Sequence, residues 1–563
     1  MILSNKKGVQ HIVLALAELG VKEVIICPGS RNAPLVISFN RHPNFNCTSI
    51  RDERSAGFFA LGKAIESKQP VALVCTSGSA VLNFAPAIVE AFYQRIPLVI
   101  ITADRPIEWV DQGDGQTIKQ HEIYNNYIRK SYTLDGDSAD AQKIWHIERS
   151  ISEGISIATS TNKGPVHFNI SLSEPLYKTE ELKSNTSVSI FKTSITQEII
   201  CDEQLQVFAT QFSSHKKILF LIGQLQIDIE LESLLIHFAK QDNVIILTES
   251  TSNVHHPDFI ENIDRCITNI NDEAAKALMP DLLITIGGAI VSKRIKSLLR
   301  KFRPTAHWNI HPFDATMDTY QSLTTAISMQ PTAFLTSLSQ YHIPVNSDYK
   351  NNWQNLQQKK ITLQQEFEIT APYSDFKVFQ KILSTVPKDT VLHVANSSPI
   401  RYVQLFDNST IAETWSNRGT SGIDGCTSTA MGAAAAAPVK SFVLITGDVS
   451  FQYDVNALWN DKQIENLKII VINNGGGGIF RIIEGPNSIE ERSEFLETEM
   501  TTHFAHIAQH FSWNYIQAKD EQALNEALLY FFNTNNKRII LEIFTDAITN
   551  PVVLADYWKH LKD

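Results

Sequence analysis

Two strand ends in the C-terminal third of the chain carry residues suited to holding a divalent metal ion against a diphosphate. The run FVLITGD ends at Asp448, and the run IIVI is followed by Asn473, Asn474 and four consecutive glycines. A carboxylate, an amide oxygen and a glycine carbonyl are hard ligands, and diphosphate oxygens and water can complete an octahedron. Glycines also let the backbone approach phosphates closely. Singly these are ordinary turn residues, but together, at two strand ends, they predict a metal–diphosphate site.

Cationic residues recur at strand ends and in turns rich in glycine, proline and serine. An arginine guanidinium binds a carboxylate through two parallel hydrogen bonds, so cations gathered from several domains into one crevice would suit substrates with several carboxylates. In an acidic protein such a cluster would also steer anions inward. Each residue alone could equally be a surface or salt-bridged cation. The set is Arg31, Arg105, Lys293, Arg294, Arg401 and Arg418.

The elements that must position these residues are short apolar strands that alternate with longer helical segments. This alternation predicts an α/β fold with three doubly wound parallel-sheet domains. Ligands of such sheets bind at the carboxyl ends of the strands, where the residues above are placed. Polar stretches at 178–197 and 345–352 mark two candidate boundaries. The predicted domains are therefore 1–180, 181–347 and 348–563.

Length and composition exclude several classes of protein. The chain has 563 residues, of which 43% are hydrophobic, and this is enough apolar material for several cores. A net charge of −11 argues against a protein that coats nucleic acid or anionic membranes. The six cysteines form no C-x-x-C pair. Apolar runs such as IPLVIITA are far shorter than the roughly 20 residues of a membrane helix, and the N-terminus does not resemble a signal peptide. We therefore expect a cytoplasmic protein that binds neither nucleic acid nor membrane.

The Gly-Asp and Asn-Asn pairs resemble the metal–diphosphate motif of thiamine diphosphate-dependent enzymes, with Val449 where that motif commonly has a second glycine. The resemblance implies thiamine diphosphate as cofactor, and it implies that Asp448, Asn474 and the backbone carbonyl of Gly476 hold Mg²⁺ or Mn²⁺. In this family a glutamate between a strand and a helix binds the aminopyrimidine ring and favours the imino form that removes the thiazolium C2 proton. The segment SIRDERSAGFF matches that element, and the family pattern selects Glu53.

The segments CPGSRNAPL, TADRP and NRGTSGIDG narrow the resemblance to the 2-succinyl-5-enolpyruvyl-6-hydroxy-3-cyclohexene-1-carboxylate synthases of menaquinone biosynthesis, and it covers all three predicted domains. Members of that family decarboxylate 2-oxoglutarate and add the resulting succinyl carbanion to isochorismate in a 1,4 sense, with release of CO₂. Both substrates are dicarboxylates, which agrees with the set of cations. Pyrimidine and diphosphate usually bind to different subunits in thiamine diphosphate enzymes. The resemblance therefore implies a homodimer or homotetramer with sites at the subunit interface.

Carried over residue by residue, the resemblance assigns roles to further positions. Ser397 would contact the diphosphate, and Ile423 would be the aliphatic wedge that bends the cofactor. Ile479 and Phe480 would wall the pocket, and the acidic segment 481–500 is a candidate mobile lid. The residues that would contact substrate or intermediate, besides Glu53, are Ser30, Arg31, Arg105, Gln116, Lys293, Arg294, Arg401 and Arg418.

Two other interpretations stay open at this point. A different thiamine diphosphate-dependent 2-oxoacid carboligase, of the acetolactate synthase type, would share the cofactor motif, but a pocket for pyruvate would not need so many cations. A non-catalytic protein that keeps the fold as a binding or regulatory module would be expected to lose Glu53 first, and Glu53 is present. The central domain is either a scaffold that contributes Lys293 and Arg294 or the seat of a regulatory site.

Overall fold

The computed structural model describes residues 1–183, 186–194, 199–341, 345–460, 464–483, 485–534 and 538–562. The chain forms two compact units, and each is described by itself. The first unit contains residues 1–195, 419–440 and 452–467, and the second contains 196–418, 441–451 and 468–563. Parts of the predicted linker at 178–197 lie outside the described residues, as does Glu484 of the predicted lid. The boundaries near residues 180 and 347 stay a prediction.

The strands are short, and most are apolar. In chain order they are β1 (Ile2–Ser4), β2 (Glu23–Ile26), β3 (Asn46–Ser49), β4 (Val71–Cys75), β5 (Leu98–Asp104), β6 (Ser131–Asp135), β7 (Val166–Ser171), β8 (Thr179–Glu181), β9 (Ile218–Ile222), β10 (Val244–Leu247), β11 (Leu282–Ile286), β12 (Ala306–Ile310), β13 (Thr325–Ile327), β14 (Thr390–Val394), β15 (Glu413–Trp415), β16 (Ser441–Gly447), β17 (Leu467–Asn473), β18 (Asn514–Ala518) and β19 (Ile539–Phe544).

The helices follow most strands. In chain order they are α1 (Lys7–Glu18), α2 (Ala33–Arg41), α3 (Glu53–Ser67), α4 (Ser79–Asn83), α5 (Ala85–Gln94), α6 (Ala141–Thr159), α7 (Asp202–Ser214), α8 (Ile229–Ala239), α9 (Ile263–Ile267), α10 (Asp272–Leu278), α11 (Lys293–Lys301), α12 (Pro331–Leu338), α13 (Tyr349–Thr370), α14 (Asp375–Thr385), α15 (Ser398–Val403), α16 (Cys426–Ala436), α17 (Asp448–Tyr453), α18 (Ile479–Ile482), α19 (Ala505–His510), α20 (Glu521–Asn533) and α21 (Thr549–His560).

Three parallel sheets organise these elements. The first unit holds the order β3-β2-β4-β5-β7-β6, and the second holds β10-β9-β11-β12-β13 and β15-β14-β16-β17-β19-β18. Every residue of β4 and β9 is buried, as expected for central strands covered by helices on both faces. The predicted α/β fold with three parallel sheets is confirmed. No helix in the described ranges is long and apolar enough to cross a membrane.

One short pairing lies in the stretch that the sequence suggested as a linker. Strand β8 pairs antiparallel with β1, with Ile2 opposite Glu181. The polar composition of residues 179–181 hid β8, because a strand at the surface needs no apolar run.

A buried polar network joins β5 and β7 in the first sheet. The hydroxyl of Thr102 donates to Oδ1 of Asn169 at 2.8 Å and lies 2.7 Å from Nε2 of His167. Because the hydroxyl proton is already used, the imidazole must be the donor in the second contact. Burial lowers the pKa of His167 to about 3, so this ring is neutral at pH 7.

The middle sheet repeats this arrangement between β11 and β12. The hydroxyl of Thr285 donates to Oδ1 of Asn309 at 2.8 Å and lies 2.9 Å from Nε2 of His307. Burial lowers the pKa of His307 to about 4. The same three side chains therefore satisfy one another at equivalent places in two sheets, where an unpaired polar group would be costly.

We expect the His167→Gln variant to be less sensitive to acid than the wild type. Between pH 6.5 and about 3 the unfolded chain binds a proton at this position that the folded chain does not, so stability falls as the pH falls. The loss is about 1.4 kcal/mol per pH unit for one such group. The measurement is the thermal midpoint at pH 7.0 and pH 5.0. Thr102→Val is the matched control, because it breaks the same network and keeps the titrating ring. Equal acid shifts in wild type and His167→Gln would contradict the prediction.

Candidate active site

The carboxylate of Asp448 is buried where β16 ends. Its Oδ1 accepts a hydrogen bond from the backbone N–H of Val449, and its Oδ2 accepts one from the N–H of Gly476, both at 2.7 Å. Burial raises the pKa of Asp448 to about 6; the negative charge of Asp375 adds to the rise, and the N–H donors oppose it. A cation beside this carboxylate would offset the burial and the repulsion, which suits a metal ligand.

Asn474 follows the end of β17, the strand next to β16 in the sheet. Its Nδ2 donates to Oδ2 of Asp375 at 2.9 Å. Its backbone N–H is a further hydrogen-bond donor to Asp448. The structure thus brings two of the predicted metal ligands together at the carboxyl ends of adjacent strands.

The glycine run 475–478 follows a path that side chains would obstruct. Gly475, Gly476 and Gly477 have φ angles of +80°, +89° and +53°, in the region that favours glycine. A Cβ at Gly476 would overlap the carbonyl oxygen of Thr498. Only a glycine therefore fits at position 476. This residue, the third predicted ligand, lies beside Asp448.

The residues after the glycine run begin a short helix. Ile479 and Phe480 are half-buried at the start of α18. In the predicted lid, the Glu497 carboxylate bonds the guanidinium groups of Arg481 at 2.8 Å and Arg492 at 2.9 Å. The ion pair with Arg481 ties the end of the segment to its beginning. The pocket-wall role and the lid motion stay predictions.

The donor set fits a hard divalent cation that is shared with a diphosphate. Among the described residues, no group of three or more His, Cys, Asp and Glu side chains could hold a metal ion by itself. One carboxylate, one amide oxygen and one backbone carbonyl leave ligand positions for diphosphate oxygens and water. The second buried carboxylate, Asp375, adds negative charge that the cation would balance.

Glu53 is the first residue of α3, after β3, as the sequence predicts. It is half-buried. The turn that carries it is fixed from both sides. The Asp52 carboxylate caps the helix by accepting from the N–H of Arg54 at 2.9 Å. The Arg54 guanidinium donates to the carbonyl oxygens of Asp424 and, at 2.9 Å, of Tyr453.

Helices α3 and α16 pack backbone against backbone in the first unit. A Cβ at Gly62 would overlap the carbonyl oxygen of Thr429, and a Cβ at Gly432 would overlap that of Phe59. Ile423 is half-buried in the segment that leads into α16. The carbonyl oxygen of the next residue, Asp424, accepts the hydrogen bond from the Arg54 guanidinium. The structure thus places the predicted wedge on a segment that is held against the helix of Glu53.

Arg31 and Arg105 are close enough for their charges to interact. Burial lowers the pKa of Arg31, and the positive charge of Arg105 lowers it further, while Glu174 opposes the shift. Nη1 of Arg31 donates to the carbonyl oxygen of Leu172 at 3.0 Å. Its buried Nε has no hydrogen-bond partner among the described residues. An unpaired donor beside a second guanidinium suits a carboxylate ligand.

Arg105 lies among residues from the turns at the same sheet edge. Its Nη1 donates to the Ser77 hydroxyl at 3.1 Å and to the carbonyl oxygen of Gln116 at 3.5 Å, and its Nε bonds Asp114. Gln116 is exposed and has a φ of +57°. Ser30 is also exposed, next to Arg31 in the chain. Four predicted substrate-contacting residues therefore lie at the carboxyl end of the first sheet.

In the second unit, the charges of three predicted cations act on two carboxylates, of which Glu249 is buried and Asp264 is half-buried. Burial raises the pKa of Asp264, and the charges of Arg294 and Arg401 oppose that rise. Burial also raises the pKa of Glu249 to about 7, and hydrogen bonds from two backbone N–H groups and the charge of Arg418 oppose it. The structure brings these arginines together around one acidic pair.

The start of α11 is anchored by Glu249. Its carboxylate accepts from the N–H groups of residues 291 and 292 at 2.6 and 2.7 Å. The next two residues, Lys293 and Arg294, are exposed, and the Arg294 guanidinium lies 4.5 Å from the ring centre of Trp558. Both predicted cations thus directly follow a turn that the buried Glu249 carboxylate stabilises through hydrogen bonds.

Ser397 lies at the start of α15, the helix that carries Arg401. Its φ is +74°, a conformation that costs energy in a residue with a side chain. The neighbouring Asn396 accepts from Nη1 of Arg418 at 2.9 Å. Predicted diphosphate and substrate contacts are therefore adjacent in this turn.

Sequence reasoning missed the residues that hold others in place. Asp104 accepts from the N–H of Arg105 at 2.8 Å and from Asn169 at 2.8 Å. It stands inside TADRP, so the motif itself contained the signal. Glu249 stands just beyond β10, a position that could have marked it. Asp375 had no sequence signal, because its partners come from distant segments.

Comparisons with known proteins identify the family of the chain. The model described as "Thiamine pyrophosphate enzyme, N-terminal TPP binding domain" matches residues 6–123. The "Middle domain of thiamine pyrophosphate" matches 191–394, and the "Thiamine pyrophosphate enzyme, C-terminal TPP binding domain" matches 399–543. Thiamine pyrophosphate is another name for thiamine diphosphate.

Curated relatives match over nearly the full length. A protein of Flavobacterium psychrophilum is 44% identical, and one of Flavobacterium johnsoniae is 42% identical, each over 98% of both chains. One of Porphyromonas gingivalis is 37% identical over 99% of this chain and 98% of its own. All three are named 2-succinyl-5-enolpyruvyl-6-hydroxy-3-cyclohexene-1-carboxylate synthase.

The chain belongs to this synthase family. The predictions of the family, of thiamine diphosphate as cofactor and of an enzyme that forms C–C bonds are confirmed. The roles of the individual site residues stay predictions.

We expect Gly476→Ala to destabilise the protein even without cofactor. The residue has a φ of +89°, and the added methyl group would overlap the Thr498 carbonyl. Strain of this kind costs about 1–3 kcal/mol. The measurement is the thermal midpoint of the cofactor-free protein. Gly447→Ala is the control for stability, because a Cβ there meets no atom within 4 Å. An unchanged midpoint for Gly476→Ala would count against the described path of the glycine run.

Proposed function

We propose that this protein catalyses the decarboxylation of 2-oxoglutarate and the 1,4-addition of the resulting succinyl carbanion to isochorismate. The products are 2-succinyl-5-enolpyruvyl-6-hydroxy-3-cyclohexene-1-carboxylate and CO₂, in menaquinone biosynthesis. The similarity to synthases of that name over 98% of the chain supports this reaction.

The observation that carries the proposal is the pairing of Arg31 with Arg105. The charge of Arg105 lowers the pKa of Arg31, and an anion that binds beside the pair would relieve this repulsion in addition to Glu174 and Asp114. The unpaired Nε of Arg31 is a ready donor for such an anion. A dicarboxylate such as 2-oxoglutarate supplies the required charge, whereas pyruvate carries a single carboxylate.

Asp448, Asn474 and the carbonyl of Gly476 would hold Mg²⁺ or Mn²⁺ against the diphosphate, and Ser397 would contact the diphosphate as well. The cofactor supplies a thiazolium carbon that adds to a 2-oxo group and accepts the electron pair left by loss of CO₂. Glu53 would hold a proton against the pyrimidine ring. The arginines of both sets would orient the substrate carboxylates and offset their charge.

We propose a homodimer or homotetramer with active sites at the subunit interface. In support, the first unit exposes large apolar side chains on its surface, with 50% of Leu82, 56% of Tyr93 and 56% of Trp109 accessible. The rings of Tyr93 and Tyr127 lie 6.5 Å apart, and exposed apolar groups that cluster in this way are typical of association surfaces. The cytoplasmic location stays a prediction from the sequence.

We expect Glu53→Gln to lose nearly all synthase activity. Gln has the same shape but cannot take up the proton that a carboxylate holds on the pyrimidine. The assay follows isochorismate loss with thiamine diphosphate, Mg²⁺ and 2-oxoglutarate. Pyruvate in place of 2-oxoglutarate is the control and should give no isochorismate loss. Carboligation with pyruvate and none with 2-oxoglutarate would overturn the proposed substrates and leave the cofactor unaffected.

We expect Arg31→Met to lower kcat/KM by about 10- to 100-fold, because it removes a charge-assisted hydrogen bond worth about 1.5–3 kcal/mol. Arg149→Met is the matched control. It also removes an arginine of the first unit, one whose guanidinium stacks on Phe191 at 4.7 Å. Equal kcat/KM values for the two variants would remove Arg31 from the substrate site.

A further inference from the structure

Asp375 is a buried carboxylate at the start of α14 that joins several separate segments. Its Oδ1 accepts from the Thr545 hydroxyl at 2.6 Å, just after β19, and its Oδ2 accepts from Nδ2 of Asn474 at 2.9 Å. Its backbone N–H donates to Oδ1 of Asn550 in α21 at 2.8 Å. Asn550 in turn donates to the Thr545 hydroxyl at 2.9 Å. The carboxylate therefore stands at the centre of a fixed network.

The network determines which way round the Asn474 amide lies. An amide has a donor end and an acceptor end, and a carboxylate can only accept. Because the Thr545 hydroxyl already donates to Asp375, the carboxylate presents an acceptor oxygen to Asn474. The Nδ2 end must then face Asp375. The Oδ1 end accepts no hydrogen bond from the described part of the chain and is left as an oxygen ligand.

We propose that Asp375 is a positioning residue that fixes the Asn474 amide with Oδ1 turned away from Asp375 and available to the divalent cation. This inference rests on the metal site of the proposed function. Without Asp375 the amide could rotate and present Nδ2, which is not a ligand for a hard cation. Outer partners of metal ligands commonly contribute 10- to 100-fold to metal affinity.

The geometry distinguishes positioning from support of the fold. Thr545 and Asn550 hold Asp375 on one side, and Asn474 is held on the other. Removing the Thr545 hydroxyl breaks two bonds of the network, as removing the Asp375 carboxylate does, yet it leaves the Asp375–Asn474 bond in place. The two kinds of change should therefore affect stability alike and metal affinity differently.

The test measures Mn²⁺ binding, by electron paramagnetic resonance of free Mn²⁺, to the full chain saturated with thiamine diphosphate. We expect Asp375→Leu to raise the Mn²⁺ Kd at least 10-fold. Thr545→Val is the matched control and should change the Kd less than 3-fold. Similar thermal midpoints of the two cofactor-free variants establish that the difference is not one of folding. Should the Leu variant not fold, Asp375→Ser, which is too short to reach Asn474, carries the same expectation.

Asp375→Asn separates positioning from simple loss of charge. Its amide oxygen can accept from Asn474 while its NH₂ group donates to Thr545, so positioning predicts a Kd within 3-fold of wild type. Equal weakening in the Asn and Leu variants would show that charge alone matters and would overturn the inference. So would a wild-type Kd in Asp375→Leu, or a Thr545→Val variant as weak as Asp375→Leu.

The proposed function can fail separately. Wild-type protein should bind one Mn²⁺ in a manner that requires thiamine diphosphate, and Asp448→Ala should abolish that binding. Absence of Mn²⁺ binding in the wild type would refute the metal site itself and with it the inference. Normal wild-type binding with an unaffected Asp375→Leu variant would refute the inference alone.

Discussion

The buried carboxylate of Asp448 is the constraint on which the arrangement at the ends of β16 and β17 depends. A carboxylate out of water must be satisfied, and here backbone N–H groups from the next residue and from Gly476 do so. Reaching Asp448 forces the glycine run into positive φ angles and brings it under the Thr498 carbonyl. The Glu497 ion pairs then hold the segment that presses on the glycines. Each feature follows from the need to stabilise one charge at the end of a buried strand.

The same physical requirement shapes the first unit. Glu53 begins helix α3. The first N–H groups of a helix have no hydrogen-bond partners within the helix, so they need partners from outside it. Asp52 supplies the cap, and Arg54 ties the turn to two backbone carbonyls. The glycine contacts between α3 and α16 let the two helix backbones pack directly against each other. The carboxylate that we propose to act on the pyrimidine is thus held by neighbours to which the proposal gives no direct part in the chemistry.

The sequence predicted what has a local signature. Continuous apolar runs revealed central strands such as β4, β5, β9 and β17, because strands buried on both faces carry apolar residues throughout. Motif residues were visible because they directly follow these apolar runs. The β1–β8 pairing was missed, since β8 lies at the surface and has no apolar pattern. Asp375 was missed because its partner Asn474 is 99 residues away, and such a contact exists only once the sheet is assembled.

Buried carboxylates also explain how an acidic chain maintains clusters of arginine. Guanidinium groups that share one crevice repel one another, and burial increases the repulsion. Glu249 and Asp264 offset that cost around Arg401, as Asp104 does at Arg105. These carboxylates accept hydrogen bonds mainly from backbone N–H groups or lie at one side of each cation. Side-chain donors such as Nε of Arg31 are therefore left without a partner among the described residues. An arrangement that neutralises charge without occupying every donor leaves directed hydrogen bonds for an incoming carboxylate. In the proposed reaction, this arrangement would favour substrates with two acidic ends over those with one.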